Sequence, residues 1–371
     1  MWRELQLELA ERELAGRKRT LRVVRDNLLD AASNDYLGLA RHPEVIEAAC
    51  EAARKHGAGA RASRLVSGHF DLVEELERDL ARFKSTESAL VFSSGFAANL
   101  GVLGALSNGE TMLLCHKRNH ASLLDGCRLA GAKGAVTRYW ESLDKLESLL
   151  SKVASKRKIV VADGVFSMDG DLLPLPQVLE LCERFDAVLL LDDAHGTGTL
   201  GATGRGLSEQ FGIHSERIIT VGTLSKALGS QGGFVCGPRL LIDYLVGSAG
   251  SFIYSTGLNP PAVGAALSAL RVLEREPERV ARCTSNARQL SQRLCEIGFD
   301  VRFWGSPIVP VIVGDERAAL RLAARLEERG VWCPAIRPPT VARATARLRL
   351  AASSEWSREE LERITVAFHR R

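Results

Sequence analysis

What the chain lacks narrows it first. Its eight cysteines (Cys50, Cys115, Cys127, Cys182, Cys236, Cys283, Cys295 and Cys333) include no Cys-x-x-Cys pair. Most sit inside apolar or helical patterns, as in Leu113-Leu114-Cys115 and Phe234-Val235-Cys236. Disulfide frameworks belong mainly to short secreted chains, so these read as buried thiols in a reducing compartment. The opening Met1-Trp2-Arg3-Glu4 is charged, and no apolar stretch follows to make a secretory signal. No apolar run approaches the roughly 20 residues that span a bilayer. A soluble, cytoplasmic protein without a membrane partner is the expectation. A surplus of one charge is missing too: 49 basic residues face 45 acidic ones, a net charge of +4. Spread over 371 residues, that leaves no footprint for nucleic acid. Internal repeats and low-complexity segments are absent as well.

What is present is a long, ordinary globular composition, 46% hydrophobic and 25% charged. The length calls for a large domain plus smaller pieces. In the middle of the chain, short apolar runs alternate with helical patterns. Ala89-Leu90-Val91-Phe92, Thr111 to Cys115, Ile159 to Ala162, Ala187 to Leu191 and Ile218 to Val221 read as strands. Gly95 to Leu106 and Ala121 to Gly131 read as helices. This alternation predicts βαβ units, hence an α/β fold with a mainly parallel sheet between helices. From about residue 260 the texture changes to helices with short strands, and Ser357 with Glu360 forms a capping box for a final helix. The expected organisation is an N-terminal helix and extended segment over 1–45, a large domain over 46–257 and a small C-terminal α/β domain over 258–371. In open sheets of this kind, ligands bind beyond the carboxyl ends of the strands.

Those strand ends carry the chemistry. Leu190-Leu191-Asp192-Asp193-Ala194-His195-Gly196 ends an apolar run with an acid, followed three residues on by an imidazole. Lys226 lies 34 residues beyond Asp192, inside Gly222-Thr223-Leu224-Ser225-Lys226-Ala227-Leu228-Gly229. A lone loop lysine is ordinarily a solvated charge. Here Thr223 and Ser225 flank it, and the spacing fits one crossover between neighbouring strands. A lysine amine, an acid for a pyridinium nitrogen, an imidazole for a phenolic oxygen and hydroxyls for a phosphate together meet the demands of pyridoxal 5′-phosphate (PLP). Phe92-Ser93-Ser94-Gly95-Phe96-Ala97-Ala98-Asn99 adds a helix start, a natural phosphate seat. Asn119-His120-Ala121-Ser122 and Asp163-Gly164-Val165-Phe166-Ser167-Met168-Asp169-Gly170 follow two further strands.

As a set, Asp163–Gly170, Asp192–Gly198 and Gly222–Gly233 are specific. The chain resembles the α-oxoamine synthases of the fold-type I PLP-dependent transferases, from Ser33-Asn34-Asp35-Tyr36-Leu37-Gly38-Leu39 to the final helix. The resemblance implies that Lys226 carries PLP as a Schiff base, Asp192 pairs with the pyridine nitrogen and His195 with the phenolic oxygen, and His120 stacks on the ring. It places Gly95 and Phe96 at the phosphate, with Thr223 binding it and Ser167 touching the cofactor. Ser255 and Thr256 would reach the phosphate of a neighbouring subunit, which implies a homodimer. Asn34 and Arg349 would hold the amino-acid carboxylate; of the neighbours in Arg347-Leu348-Arg349-Leu350, Arg347 is expected to be solvated. A basic contact to the acyl substrate would come from the Arg17-Lys18-Arg19 cluster, with Arg19 as candidate and the register within the three open, and Thr340 is a further substrate-binding candidate. Ala335-Ile336-Arg337-Pro338-Pro339-Thr340-Val341 resembles the branch that serves biotin synthesis. That branch implies decarboxylative condensation of L-alanine with pimeloyl-CoA or a pimeloyl carrier-protein thioester. The alternatives are the same chemistry on glycine and a catalytically inactive partner subunit. The chain departs from the family in having Ala342-Arg343-Ala344 where Pro-x-Gly is usual, which leaves that loop less constrained. No metal is expected.

Overall fold

The computed structural model describes residues 1–152 and 154–369. The chain divides into two compact units, a larger one of 34–167 with 171–282 and a smaller one of 1–33, 168–170 and 283–371.

The larger unit is built on a seven-stranded sheet: β1 (Ser88–Phe92), β2 (Thr111–His116), β3 (Val136–Trp140), β4 (Arg157–Asp163), β5 (Val188–Asp192), β6 (Ile218–Thr223) and β7 (Gly233–Gly237). Their spatial order is β1-β7-β6-β5-β4-β2-β3. All neighbours pair in parallel except β7, which is antiparallel to both β1 and β6. Helices cover both faces of such a sheet, so its central strands are apolar along their whole length rather than alternating. β6 and β7 are buried at every position. β5 carries Leu189, Leu190 and Leu191 with no measurable exposure before it ends in Asp192. Charged side chains therefore enter the sheet's central strands only near their ends. There β4 and β5 place Asp163 opposite Asp192 in the ladder.

Two helices begin at those ends. Gly95–Leu106 follows β1 and is capped by Ser94, whose Oγ accepts the Ala97 N–H at 3.0 Å. Ala121–Gly131 follows β2, with His120 as its cap residue. On the other side, the helix Pro260–Arg275 packs against Pro43–His56 and Asp71–Lys84. Its Gly264 permits the approach, since a Cβ there would lie 2.6 Å from the Ala48 carbonyl oxygen.

The smaller unit holds a four-stranded antiparallel sheet in the order Ala335–Ile336, Ala346–Ala351, Ile308–Gly314, Asp300–Val301. Its core joins Leu290, Leu322, Leu326, Leu348, Leu350, Ile364 and Phe368. The capping box of the final helix is formed, with Ser357 and Glu360 each bonding the other's backbone N–H. The N-terminal helix spans Trp2–Leu14, and none of its residues is buried. One expectation is corrected here. Arg347 is not solvated: it is 6% exposed and pairs with Asp169. Ala346–Ala351 is an inner strand with neighbours on both edges, and every one of its residues is buried, so neither of its faces meets water.

Candidate active site

The site is built on the strand ends of the larger unit. β6 delivers Thr223, and the turn behind it presents Lys226. The Lys226 Nζ lies 3.0 Å from His195 Nε2. His195 is itself held from the far side, its Nδ1 2.7 Å from the Tyr36 hydroxyl. That hydroxyl also donates to Asn34 Oδ1 at 3.1 Å. Tyr36 has no measurable exposure and His195 is buried. A line of four side chains thus runs Asn34–Tyr36–His195–Lys226. It joins residues far apart in sequence because the segment after β5 turns sharply. The turn is fixed by Asp193, whose Oδ1 accepts the Leu207 N–H at 3.2 Å and whose Oδ2 pairs with Lys84 Nζ at 2.8 Å. Gly196 is required there, since a Cβ on it would sit 2.0 Å from that carboxylate. Burial pushes the Asp193 carboxyl up from its ordinary value, and the Lys84 ammonium pulls it back.

Asp192 lies one residue earlier. Its Oδ1 accepts the Ala194 N–H at 3.0 Å and its Oδ2 accepts from Asn99 Nδ2 at 2.7 Å. Asn99 Nδ2 also donates to Ser122 Oγ at 2.8 Å, and Ser122 Oγ lies 2.8 Å from His120 Nδ1. His120 is anchored through its backbone too: its N–H donates to Asp163 Oδ2 at 2.8 Å. Asn119 braces the same corner, accepting the Asp163 N–H at 3.0 Å and donating to the Val161 carbonyl at 2.8 Å. Burial depresses the His120 imidazole below its ordinary range, and the Lys226 charge acts in the same direction while Asp192 opposes it. Burial and then the neighbouring Asp192 carboxylate hold the Asp163 carboxyl well above its usual range. The Phe96 ring meets His120 edge-on, with ring centroids 6.3 Å apart.

A set of donors suited to an anion lies at the start of the Gly95–Leu106 helix. The first-turn N–H groups of Gly95 and Phe96 have no acceptor within the helix. Thr223 Oγ1 stands beside them, 2.7 Å from Ser225 Oγ. A Cβ on Gly95 would lie 3.4 Å from the Thr223 Cβ. β7 passes so close behind that a Cβ on Gly233 would lie 2.3 Å from the Gly95 nitrogen. An amine, a buried acid, an imidazole with a flat ring and an anion seat are thus gathered at adjacent strand ends, and this donor set fits PLP. Among the described residues, no cluster of His, Cys, Asp and Glu is placed to hold a metal.

The remaining sequence-derived candidates are spread along the chain. Ser167 is half-buried after β4. Ser255 Oγ lies 3.5 Å from Ser93 Oγ of the same chain, and Thr256 forms a bridge with Ser63. In the smaller unit, Arg19 and Thr340 meet, Arg19 Nη2 donating to Thr340 Oγ1 at 2.7 Å. They line a cavity of about 800 Å³ with Arg17, Arg22, Trp332 and Arg337. Arg349 is buried in the inner strand. Tyr36, Asn99, Ser122 and Asp163 do not stand out as site residues by sequence. All four lie inside motifs that do, and only the side-chain hydrogen bonds reveal them.

Fold and donor set define a PLP-dependent enzyme of fold type I. Residues 26–368 match the family described as aminotransferase class I and II. Within it, the chain belongs to the family of 8-amino-7-oxononanoate synthases. It is 42% identical to the 8-amino-7-oxononanoate synthase of Exiguobacterium sibiricum, over 98% of this chain and 96% of that one. A crystal structure of 8-amino-7-oxononanoate synthase from Francisella tularensis superposes with a TM-score of 0.78 at 28% identity, covering 93% and 97% of the two chains. A serine palmitoyltransferase variant from S. paucimobilis, solved with bound PLP and myriocin, superposes with a TM-score of 0.91 at 29% identity, covering 98% and 96%. The protein is a PLP-dependent acyltransferase of the biotin pathway, and its cofactor is PLP. Among the described residues, no helix is long and apolar enough to cross a membrane.

Proposed function

We propose that the chain condenses L-alanine with a pimeloyl thioester, on CoA or on a carrier protein, giving 8-amino-7-oxononanoate, CO2 and the free carrier thiol. The observation that carries this reading is the Lys226 amine, 3.0 Å from His195, on the strand end beside Asp192 in a chain of this family. When bound, PLP supplies an electron sink for the charge left on the amino-acid α-carbon. The residues do the rest. Lys226 Nζ is the amine that would hold the cofactor and that, when free of it, would take the α-proton. Asp192 holds a proton on the pyridine nitrogen. His195, steadied by Tyr36, reaches the phenolic oxygen. His120 would stack on the ring and Ser167 would contact the cofactor. Gly95, Phe96 and Thr223 seat the phosphate, with Ser255 and Thr256 of a second subunit completing the seat in a homodimer. Asn34 and Arg349 hold the alanine carboxylate, the arginine through its two-pronged fork. Arg19, set by Thr340, faces the acyl donor.

The test is release of free thiol, with alanine, glycine and serine each crossed against pimeloyl-, succinyl-, acetyl- and palmitoyl-CoA and pimeloyl carrier protein. Turnover with alanine and a pimeloyl donor is the expected result. Preference for glycine, or for serine with palmitoyl-CoA, overturns the substrate assignment while leaving the PLP chemistry in place. Light scattering that finds a fully active monomer would remove the intersubunit role of Ser255 and Thr256.

A further inference from the structure

One buried polar atom at the site has no partner. Asn99 Oδ1 is enclosed and makes no hydrogen bond, while Asn99 Nδ2 spends both of its hydrogens, one on Asp192 Oδ2 at 2.7 Å and one on Ser122 Oγ at 2.8 Å. An orphaned acceptor in a residue only 1% exposed is costly. Flipping the amide would not relieve it. The flip would turn Oδ1 toward Asp192 Oδ2, setting two acceptors against each other, and would strip the carboxylate of its donor. The Asp192 carboxylate therefore dictates the amide's direction.

That direction propagates. Ser122 Oγ accepts the second Asn99 N–H, so its single proton is free to point onward, and the acceptor within reach is His120 Nδ1 at 2.8 Å. The Ser122 backbone N–H points at the same nitrogen from 3.2 Å. Two donors converge on Nδ1, which leaves no room for a proton there. We propose that Asn99 and Ser122 are positioning residues that relay the charge of Asp192 to His120 and lock its imidazole as the neutral tautomer protonated on Nε2.

The lock divides the work of the site. With Nδ1 closed, the His120 ring can act only as a donor, through Nε2–H, and not as a base. The ring lies among Asp163, Asp192, Asp125 and Lys226, and burial works against its cationic form. Removal of the α-proton then falls to Lys226, and His120 offers its N–H to oxygen that gains charge. This inference rests on the PLP reading of the site but concerns the protonation of one ring.

The test uses holoenzyme with ¹⁵N-labelled histidine rings and long-range ¹⁵N–¹H correlation, the His120 signal being assigned by its loss in His120→Asn. The wild-type ring should carry its proton on Nε2 and none on Nδ1 across neutral pH. In Ser122→Ala only the more distant amide still faces Nδ1, so the Nδ1-protonated form should become detectable. The same variant should lose roughly three- to tenfold in kcat, the weight of one hydrogen bond, with the alanine KM little changed. Ser122→Thr should restore both readouts. A wild-type ring that is cationic or protonated on Nδ1 overturns the proposal, as does a Ser122→Ala ring whose tautomer does not move. Borohydride labelling of Lys226 in the same samples separates this failure from failure of the PLP reading, because the label does not depend on the His120 tautomer.

Discussion

Asp163 ends β4 in nearly dry surroundings, 4% exposed, and faces Asp192 across the ladder. Two carboxylates this close and this buried do not both ionise readily, and the Asp163 carboxyl is the one raised, by burial first and Asp192 second. The native state therefore binds this proton more tightly than the unfolded chain does. Its contribution to stability is complete below the unfolded aspartate value, about 3.9. It is lost as pH rises through the raised native value. Asp163→Asn keeps an acceptor for the His120 N–H and removes the titration. Denaturation of wild type and variant over a pH series should show the variant gaining on wild type as pH rises from about 4. A difference that stays flat with pH would mean the native carboxyl is not raised. At this scale the sequence is partly legible. Asp192, His195 and Lys226 stand out because each follows an apolar strand and the three together suit one cofactor. Asp163 opens the Asp163–Gly170 motif, but an acid after a strand is ordinary turn chemistry until its neighbour is known to be a second acid. Arg347 departs from its expected exposure because alternation along a strand says which residues share a face, not whether that face meets solvent.

Among elements, the loop after β5 matters most, because it carries His195 to Lys226. Its anchor is the Lys84–Asp193 pair, with side chains 4% and 2% exposed. Lys84 comes from the last turn of the helix Asp71–Lys84, and its Nζ also donates to the Arg205 carbonyl at 2.6 Å. Removing one partner of such a pair leaves an uncompensated buried charge, which costs about 3–5 kcal/mol. Lys84→Met should therefore lower holoenzyme stability by about that amount, and adding Asp193→Asn should recover most of it, since no buried charge then remains. Chemical denaturation of the three proteins decides. A loss within about 0.5 kcal/mol, the usual range for surface changes, would mark the pair as incidental. The two helices that begin at the site, Gly95–Leu106 and Ala121–Gly131, are readable from sequence to the residue, because glycines and a cap residue mark their ends. The Lys84–Asp193 pair is not, since no local pattern ties a helix end to a loop 109 residues away.

At the scale of the whole molecule, the α/β architecture follows from the alternation of apolar runs and helical patterns, whereas the antiparallel insertion of β7 between β1 and β6 does not. Phe234-Val235-Cys236 is as apolar as the parallel strands, and strand direction leaves no mark in composition. β7 nevertheless shapes the site, since Gly233 brings it against the helix start at Gly95. Gly233→Ala should weaken PLP binding by forcing that helix start away from Thr223, while Gly109→Ala, where a Cβ has open space, should not. Equilibrium dialysis of PLP against both variants checks this, and equal affinities would separate β7 from the phosphate seat.

Every role assigned to the site depends on Lys226, in contact with His195, being the residue that holds PLP. Holoenzyme reduced with borohydride, digested and mapped by mass spectrometry tests it most directly. A phosphopyridoxyl group is expected on the peptide containing Thr223-Leu224-Ser225-Lys226, attached to Lys226 alone. A label found on any other lysine would contradict it.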